Sequence, residues 1–227
     1  MLRVKLSVVY ATMLTAAALL AAGCSTAPVD KTAGMSPNTL YAEAKDAMGL
    51  GQWDKAIPLL DKLEARAAGT PLAQQAQLDK AYAHYKAQEP VQGIATLDRF
   101  IKLHPASPAL DYALYLKGII NFNDDLGMFS AVTRQDLAER DQKAAKESFE
   151  AFKELTTRFP DSRYAPDARQ RMNYIVNSLA QYEVFVARYY YKRGAYLAAI
   201  NRAQITVTDY RDVPAMEEAL FILYKSY

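Results

Sequence analysis

The sequence predicts an all-α protein of about five stacked helix pairs, on three observations. Helix breakers are scarce: 9 Gly and 10 Pro in 227 residues make about 8%, against a usual share of roughly 12%. Alanine, the strongest helix former, supplies 39 residues. A short motif recurs far along the chain, as Gly51-Gln52-Trp53-Asp54-Lys55-Ala56-Ile57 and Gly194-Ala195-Tyr196-Leu197-Ala198-Ala199-Ile200, with the shared pattern Gly-x-aromatic-x-x-Ala-Ile. In this motif the Gly closes one helix, the aromatic seats the next, and the small Ala lets two helices approach. Self-similarity at such a distance marks a repeat array, in which each unit buries its apolar face against its neighbours.

The first segment is unlike the rest. Arg3 and Lys5 precede an uncharged apolar run from Leu6 to Ala22, and Ala21, Ala22 and Gly23 lead to Cys24, the one cysteine of the chain. This is the layout of a secretory signal over residues 1–23. The other reading is an uncleaved membrane helix, but the run has 17 residues where a span needs about 20. The segment resembles a bacterial lipoprotein signal, although Ala21 stands where Leu is usual and Leu20 lies one place further out. The resemblance implies that Cys24 is acylated and becomes the first mature residue. Ser25 behind it implies release to the outer membrane. Several acyl chains hold a protein on a bilayer far better than one. Residues 24–35 are small and polar without periodicity, a flexible tether.

The helix pairs of the remaining domain, 36–227, are expected at roughly 37–67, 71–104, 107–159 and 163–209, with a last start at 213–227. Ser36-Pro37, Thr70-Pro71 and Ser107-Pro108 each set a capping hydroxyl before a proline at the first helical position, where its missing N–H costs nothing. Weaker copies of the repeat run from Gly93-Ile94 to Phe100-Ile101-Lys102-Leu103-His104-Pro105, and through Ala145, Phe149, Phe152 and Leu155 to Phe159-Pro160. Their apolar spacing of three or four is helical. An insertion from Asn123 to about Asp141 stretches the third pair and is expected to project as a loop. Together these features are the signature of tetratricopeptide repeats, antiparallel helix pairs that stack into a superhelix. The last helix reaches Tyr227 without a polar cap, so either the natural chain continues or a partner covers that end.

Catalysis finds little support. The two histidines, His84 and His104, belong to no HExxH, nucleophile elbow or phosphate loop, and read as surface or capping residues. One cysteine excludes an intrachain disulfide framework and a Cys-rich zinc site, so neither a metal nor a cofactor is expected. The net charge of +2 resides in the signal: without residues 1–23 the chain keeps 25 basic and 25 acidic residues. Nucleic acid is therefore not an expected partner. The 16 tyrosines are more telling, clustering at Tyr82 and Tyr85, at Tyr112 and Tyr115, and from Tyr182 to Tyr191. Most should pack between helices, while some suit a groove for extended peptides. Trp53 reads as structural, because Tyr196 replaces it in the sister motif. Arg188, Arg193, Arg202 and Arg211 stand near turns, as surface charge or as contacts for a partner's carboxylates.

Several stretches go beyond a generic repeat: Gly51-Gln52-Trp53 with Ala56-Ile57, Gln74-Gln75-Ala76-Gln77-Leu78 with Tyr82-Ala83 and Tyr85-Lys86, Asp98-Arg99-Phe100-Ile101, Asp111-Tyr112 with Tyr115 and Gly118, Glu183 with Val186-Ala187 and Tyr189-Tyr190, and Arg193-Gly194-Ala195 with Asn201-Arg202. By these the mature chain resembles the BamD (ComL/YfiO) family, the tetratricopeptide lipoproteins of the β-barrel assembly machinery of Gram-negative outer membranes. The resemblance implies a lipid-anchored, non-catalytic subunit on the periplasmic face of the outer membrane. Its N-terminal repeats would receive the tails of unfolded outer-membrane proteins in a groove drawn from Tyr41, Gln77, Tyr82 and Tyr85. Its C-terminal repeats would dock on the barrel-forming subunit, beside accessory lipoproteins, through Arg193, Asn201 and above all Arg202. Two departures stand out. Ala67-Ala68-Gly69-Thr70-Pro71 replaces an aromatic Pro-Phe-Gly-Pro turn, which bears on the peptide pocket. Gln142 follows Arg140-Asp141 where Pro is usual, which bears only on the loop. The alternatives are a periplasmic repeat lipoprotein that coordinates cell-wall synthesis with envelope constriction, and the helical scaffold of a cell-wall lytic enzyme.

Overall fold

The computed structural model describes residues 32–122 and 142–227. Cys24, the signal, most of the tether and the insertion of 123–141 lie outside them. The described residues form nine helices and no strand: α1 (Pro37–Gly49), α2 (Trp53–Arg66), α3 (Pro71–Lys86), α4 (Pro90–Leu103), α5 (Leu110–Asn121), α6 (Gln142–Arg158), α7 (Ala165–Lys192), α8 (Tyr196–Asp209) and α9 (Met216–Ser226). Each helix packs on the next in the chain, and α9 also returns to α7. This is the all-α repeat array the sequence predicts, with four complete pairs and a final single helix.

The turns inside three of the pairs, among the described residues, share one device. After α1, Gly51 takes a left-handed φ of 69°, and the Gln52 amide donates to the Ala47 carbonyl at 2.8 Å. After α7, Gly194 at φ 72° lets the Ala195 amide reach the Tyr190 carbonyl at 3.0 Å. Both are six-to-one closures that satisfy carbonyls otherwise orphaned at a helix end. The same closure follows α3 without glycine: Gln88 adopts φ 62°, and the Glu89 amide donates to the His84 carbonyl at 2.9 Å. The turns between pairs differ. Thr70 caps α3, its hydroxyl accepting from the Ala73 amide at 3.3 Å and donating to the Ala67 carbonyl at 2.7 Å. The 67–71 departure thus still makes a tight turn. The expected Ser107-Pro108 cap is displaced. Here α5 begins at Leu110 after Ala109, and the Ser107 hydroxyl accepts from the Ala109 amide at 3.4 Å while donating to Gln74 Oε1 on α3 at 3.0 Å.

Leu40, Leu60 and Leu63 are fully buried in the first pair, and three further cores follow it along the chain. Leu78, Leu97, Phe100, Leu116 and Ile120 join α3, α4 and α5. Leu110, Leu114, Phe152, Leu155, Ile175 and Leu179 join α5, α6 and α7. Val184, Ala187, Ala199, Ala203, Ala219 and Ile222 join α7, α8 and α9. The 28-residue α7 serves the last two, its N-terminal half facing one and its C-terminal half the other. A close crossing lies between α5 and α6. There Gly118 meets the fully buried Phe152 ring, and the buried Ser148 hydroxyl donates to the Gly118 carbonyl at 2.8 Å. A methyl at position 118 would fall well inside 3.0 Å of that ring.

On the outer side of the first pairs, a polar knot joins α2, α3 and α4. Lys80, 5% exposed, donates to Asp61 at 2.6 Å and to Glu64 at 2.7 Å. Gln77 donates to Glu64 at 2.8 Å, and Arg99 closes on the same carboxylate at 2.7 and 2.9 Å. Burial alone would raise the Glu64 pKa, but the hydrogen bonds from Lys80 and Gln77, with the charges of Lys80 and Arg99, hold it below 4.5.

Two predictions follow from packing and charge. Gly118→Ala gains helix propensity but overpacks the crossing, and is expected to destabilise by about 1–3 kcal/mol in denaturant titration, whereas an open helical site would gain stability. Because the folded Glu64 pKa is depressed, its stabilisation is complete above the ordinary glutamate range and lost as pH falls through the lower folded value. Glu64→Gln is therefore expected to flatten the acid side of a melting-temperature profile against pH.

Candidate peptide-binding face and docking end

The first helix of each pair turns one set of side chains to a common face. On α3 these are Gln75, Asp79 and Tyr82, spaced by four and three residues. On α7 they are Asp167, Arg171 and Tyr174 at the same spacing, and on α5 Tyr112 and Tyr115. Side chains join across α1 and α3, and again across α5 and α7. Tyr41 of α1 donates its hydroxyl to Asp79 at 3.0 Å, and Lys45 and Gln75 reach the same carboxylate at 3.4 and 3.1 Å. Tyr82 meets Trp53 edge-on at 6.0 Å and Tyr85 at 6.4 Å between ring centroids. Tyr164, in the turn before α7, lies 5.6 Å from Tyr112 and stacks on Tyr115 at 4.7 Å. The Tyr115 hydroxyl donates to Asp167 at 2.8 Å, which also accepts from Arg171 at 2.7 Å. The Arg171 guanidinium covers Phe122 at 4.9 Å, and Tyr174 meets that ring edge-on at 5.6 Å.

The electrostatics fit neutral rings held by fixed carboxylates. Burial, followed by the charge and hydrogen bond of Asp79, pushes Tyr41 up to about 12. Burial and then Asp79 do the same to Tyr112, also to about 12. Burial alone would raise Asp167, but the bonds from Arg171 and Tyr115 hold it below its ordinary value.

Of the four side chains expected in the groove, Tyr41 and Tyr82 share this face. Tyr85 touches Tyr82 and, like Tyr82 and Tyr112, is half-buried against the core of α3, α4 and α5. Gln77 does not share the face. Two residues from both Gln75 and Asp79, it projects from the opposite side of α3 into the Lys80–Glu64 knot. Tyr112 and Tyr115 appear on the face as members of a tyrosine cluster the sequence displays. Asp79, which anchors it, looks in sequence like any helical surface acid. Its one distinguishing sign is its place, four residues after Gln75 and three before Tyr82.

At the other end, Arg193 caps α7 and lies over the Tyr189 ring at 4.6 Å. Asn201 is exposed on α8. Arg202 donates through Nη1 to Glu183 of α7 at 3.0 Å. Exposed apolar side chains gather on these last helices, with Phe185, Tyr189, Leu197, Leu220, Phe221 and Tyr224 all about half exposed or more. A groove between α4, α5 and α6 is rimmed by pairs already matched within the chain, Lys117–Asp98, Lys153–Glu150 and Arg158–Glu154. Among the described residues no cluster of His, Cys, Asp and Glu suits a metal, and no helix is long and apolar enough to cross a membrane. His84 bonds to Glu89 at 2.7 Å, and His104 caps α4 with its ring 5.1 Å from Phe100.

Comparison with known proteins agrees with this architecture. Residues 33–227 match the family YfiO, described as an outer membrane lipoprotein. The outer membrane protein assembly factor BamD of Neisseria meningitidis serogroup B is 45% identical over 214 residues, covering 92% of this chain and 80% of the relative. That of Vibrio cholerae is 37% identical over 205 residues, 90% of this chain and 85% of the relative. That of Haemophilus influenzae is 33% identical over 214 residues, 94% and 81% respectively. The helix pairs, the paired closures at Gly51 and Gly194 and these matches lead to one assignment: the chain belongs to the YfiO family of outer membrane lipoproteins, to which the BamD assembly factors are similar throughout the repeat domain.

Proposed function

We propose that the chain is a non-catalytic, lipid-anchored subunit of the outer-membrane β-barrel assembly machinery. It holds the tails of unfolded outer-membrane proteins on its tyrosine face and docks by its C-terminal helices on the barrel-forming subunit. Cys24 carries the acyl chains after residues 1–23 are removed. Residues 24–35 tether the domain to the periplasmic side of the outer membrane, where accessory lipoproteins join it. Relatives named as assembly factors support this reading over the cell-wall alternatives and over an enzyme.

The observation that carries it is the set of tyrosines that α1, α3 and α5 contribute, Tyr41, Tyr82, Tyr112 and Tyr115. Its hydroxyl groups at Tyr41 and Tyr115 are already bonded to Asp79 and Asp167, so the rings are fixed before a peptide arrives. Rigid aromatic surface of this kind gives contact area at low entropic cost. Docking suits the other end, where Arg202 is 40% exposed and the same last helices carry exposed apolar side chains.

Site-specific photocrosslinking to a synthetic C-terminal peptide of an outer-membrane barrel checks the face. Tyr82→Ala is expected to weaken peptide binding about fivefold, as loss of one ring contact of about 1 kcal/mol. Gln77→Ala should leave binding unchanged, and equal loss from both would place the peptide elsewhere. Docking is checked by co-purification with the barrel-forming subunit. Arg202→Lys keeps a cation for Glu183 but lacks the planar fork; it is expected to retain the melting temperature and lose most of the complex. Full recovery of the complex with that variant would remove Arg202 from the interface.

A further inference from the structure

Helix α7 makes an ion pair with each of the two helices that follow it, and the two arginines are used differently. Arg188 gives Nε and Nη2 to the two oxygens of Glu218, both at 2.5 Å, so one whole edge of its fork is filled. Arg202 gives only Nη1 to Glu183 Oε2, at 3.0 Å. The burial is equally uneven: the Glu183 side chain is 8% exposed and that of Arg202 40%. A guanidinium presents five N–H groups in a plane, and a single contact leaves its Nε–Nη2 edge available for a second carboxylate.

We propose that Glu183 is a positioning residue, whose buried carboxylate fixes the Arg202 guanidinium so that its free edge meets an acidic side chain of the docked protein. The inference rests on the docking role given to Arg202 above and adds how that role is made selective. A buried carboxylate with one cationic partner holds that partner strongly, because release would leave its charge uncompensated. The long Arg202 side chain is thus ordered before the partner arrives, and the entropy of ordering it is not charged to docking. Held at one edge, the guanidinium accepts a carboxylate from one direction.

The test is a coupling cycle on the full chain, with affinity for the purified barrel-forming subunit measured by interferometry and folding followed by thermal melting. Glu183→Gln is expected to weaken docking about three- to tenfold in the native background and to have no further effect beside Arg202→Ala, as for two residues acting as one unit. Glu183→Asp, which keeps the charge but withdraws it by one methylene, is expected to weaken docking similarly. Equal weakening by Glu183→Gln in both backgrounds would mean a general structural role and overturn the proposal, as would undiminished affinity with Glu183→Asp. If Arg202→Ala weakens docking and Glu183→Gln does not, positioning fails while the docking role stands. Native affinity in Arg202→Ala overturns both.

Discussion

No helix pair in this protein can bury its apolar face alone, and the architecture answers that constraint at every level. Two-helix units leave one side of each pair uncovered, so stability accumulates only as neighbours stack. The cores from α3 onward show how this is met, each drawing on three consecutive helices and sharing α5 or α7 with its neighbour. Helix α7 carries the heaviest demand. Ala168, Ile175 and Leu179 face α5 and α6, while Val184 and Ala187 face α8 and α9. It links the end proposed for docking to the body that carries the tyrosine face.

Close approach makes such stacking possible and limits what the sequence tolerates. The crossing at Gly118 and Phe152 works because the glycine lacks a Cβ. Ala56 and Ala199, at matching positions of the recurring motif, are fully buried. The same six-to-one closure follows α1, α3 and α7.

Much of this was legible in the residues. Proline at the starts of α1 and α3, glycine at two of the three closures and the motif at 51–57 and 194–200 fix the pairs and their boundaries. The third closure was hidden because Gln88 takes a left-handed conformation that its residue type does not advertise. The displaced start of α5 was hidden by a Ser-Pro pair that resembles a cap and makes a turn. At the face, the tyrosines were visible as clusters, but their orientation depends on helical phase. That is why Gln77, close in sequence to Gln75 and Asp79, belongs to a different side. The partnership of Glu183 with Arg202 was equally hidden, since a helical carboxylate meant for burial reads like one meant for water.

Asp79 and Asp167 take up the hydroxyls of Tyr41 and Tyr115, and this bears on what the face could recognise. A phenol whose oxygen is already engaged offers a partner mainly its flat carbon surface. Carbon surface reads no chemical letter: it stacks on a ring, a proline or a methylene with little preference. A row built this way would discriminate by the rhythm of bulky side chains along an extended strand. A single surface could then serve many clients of unrelated sequence, provided each carries the same cadence.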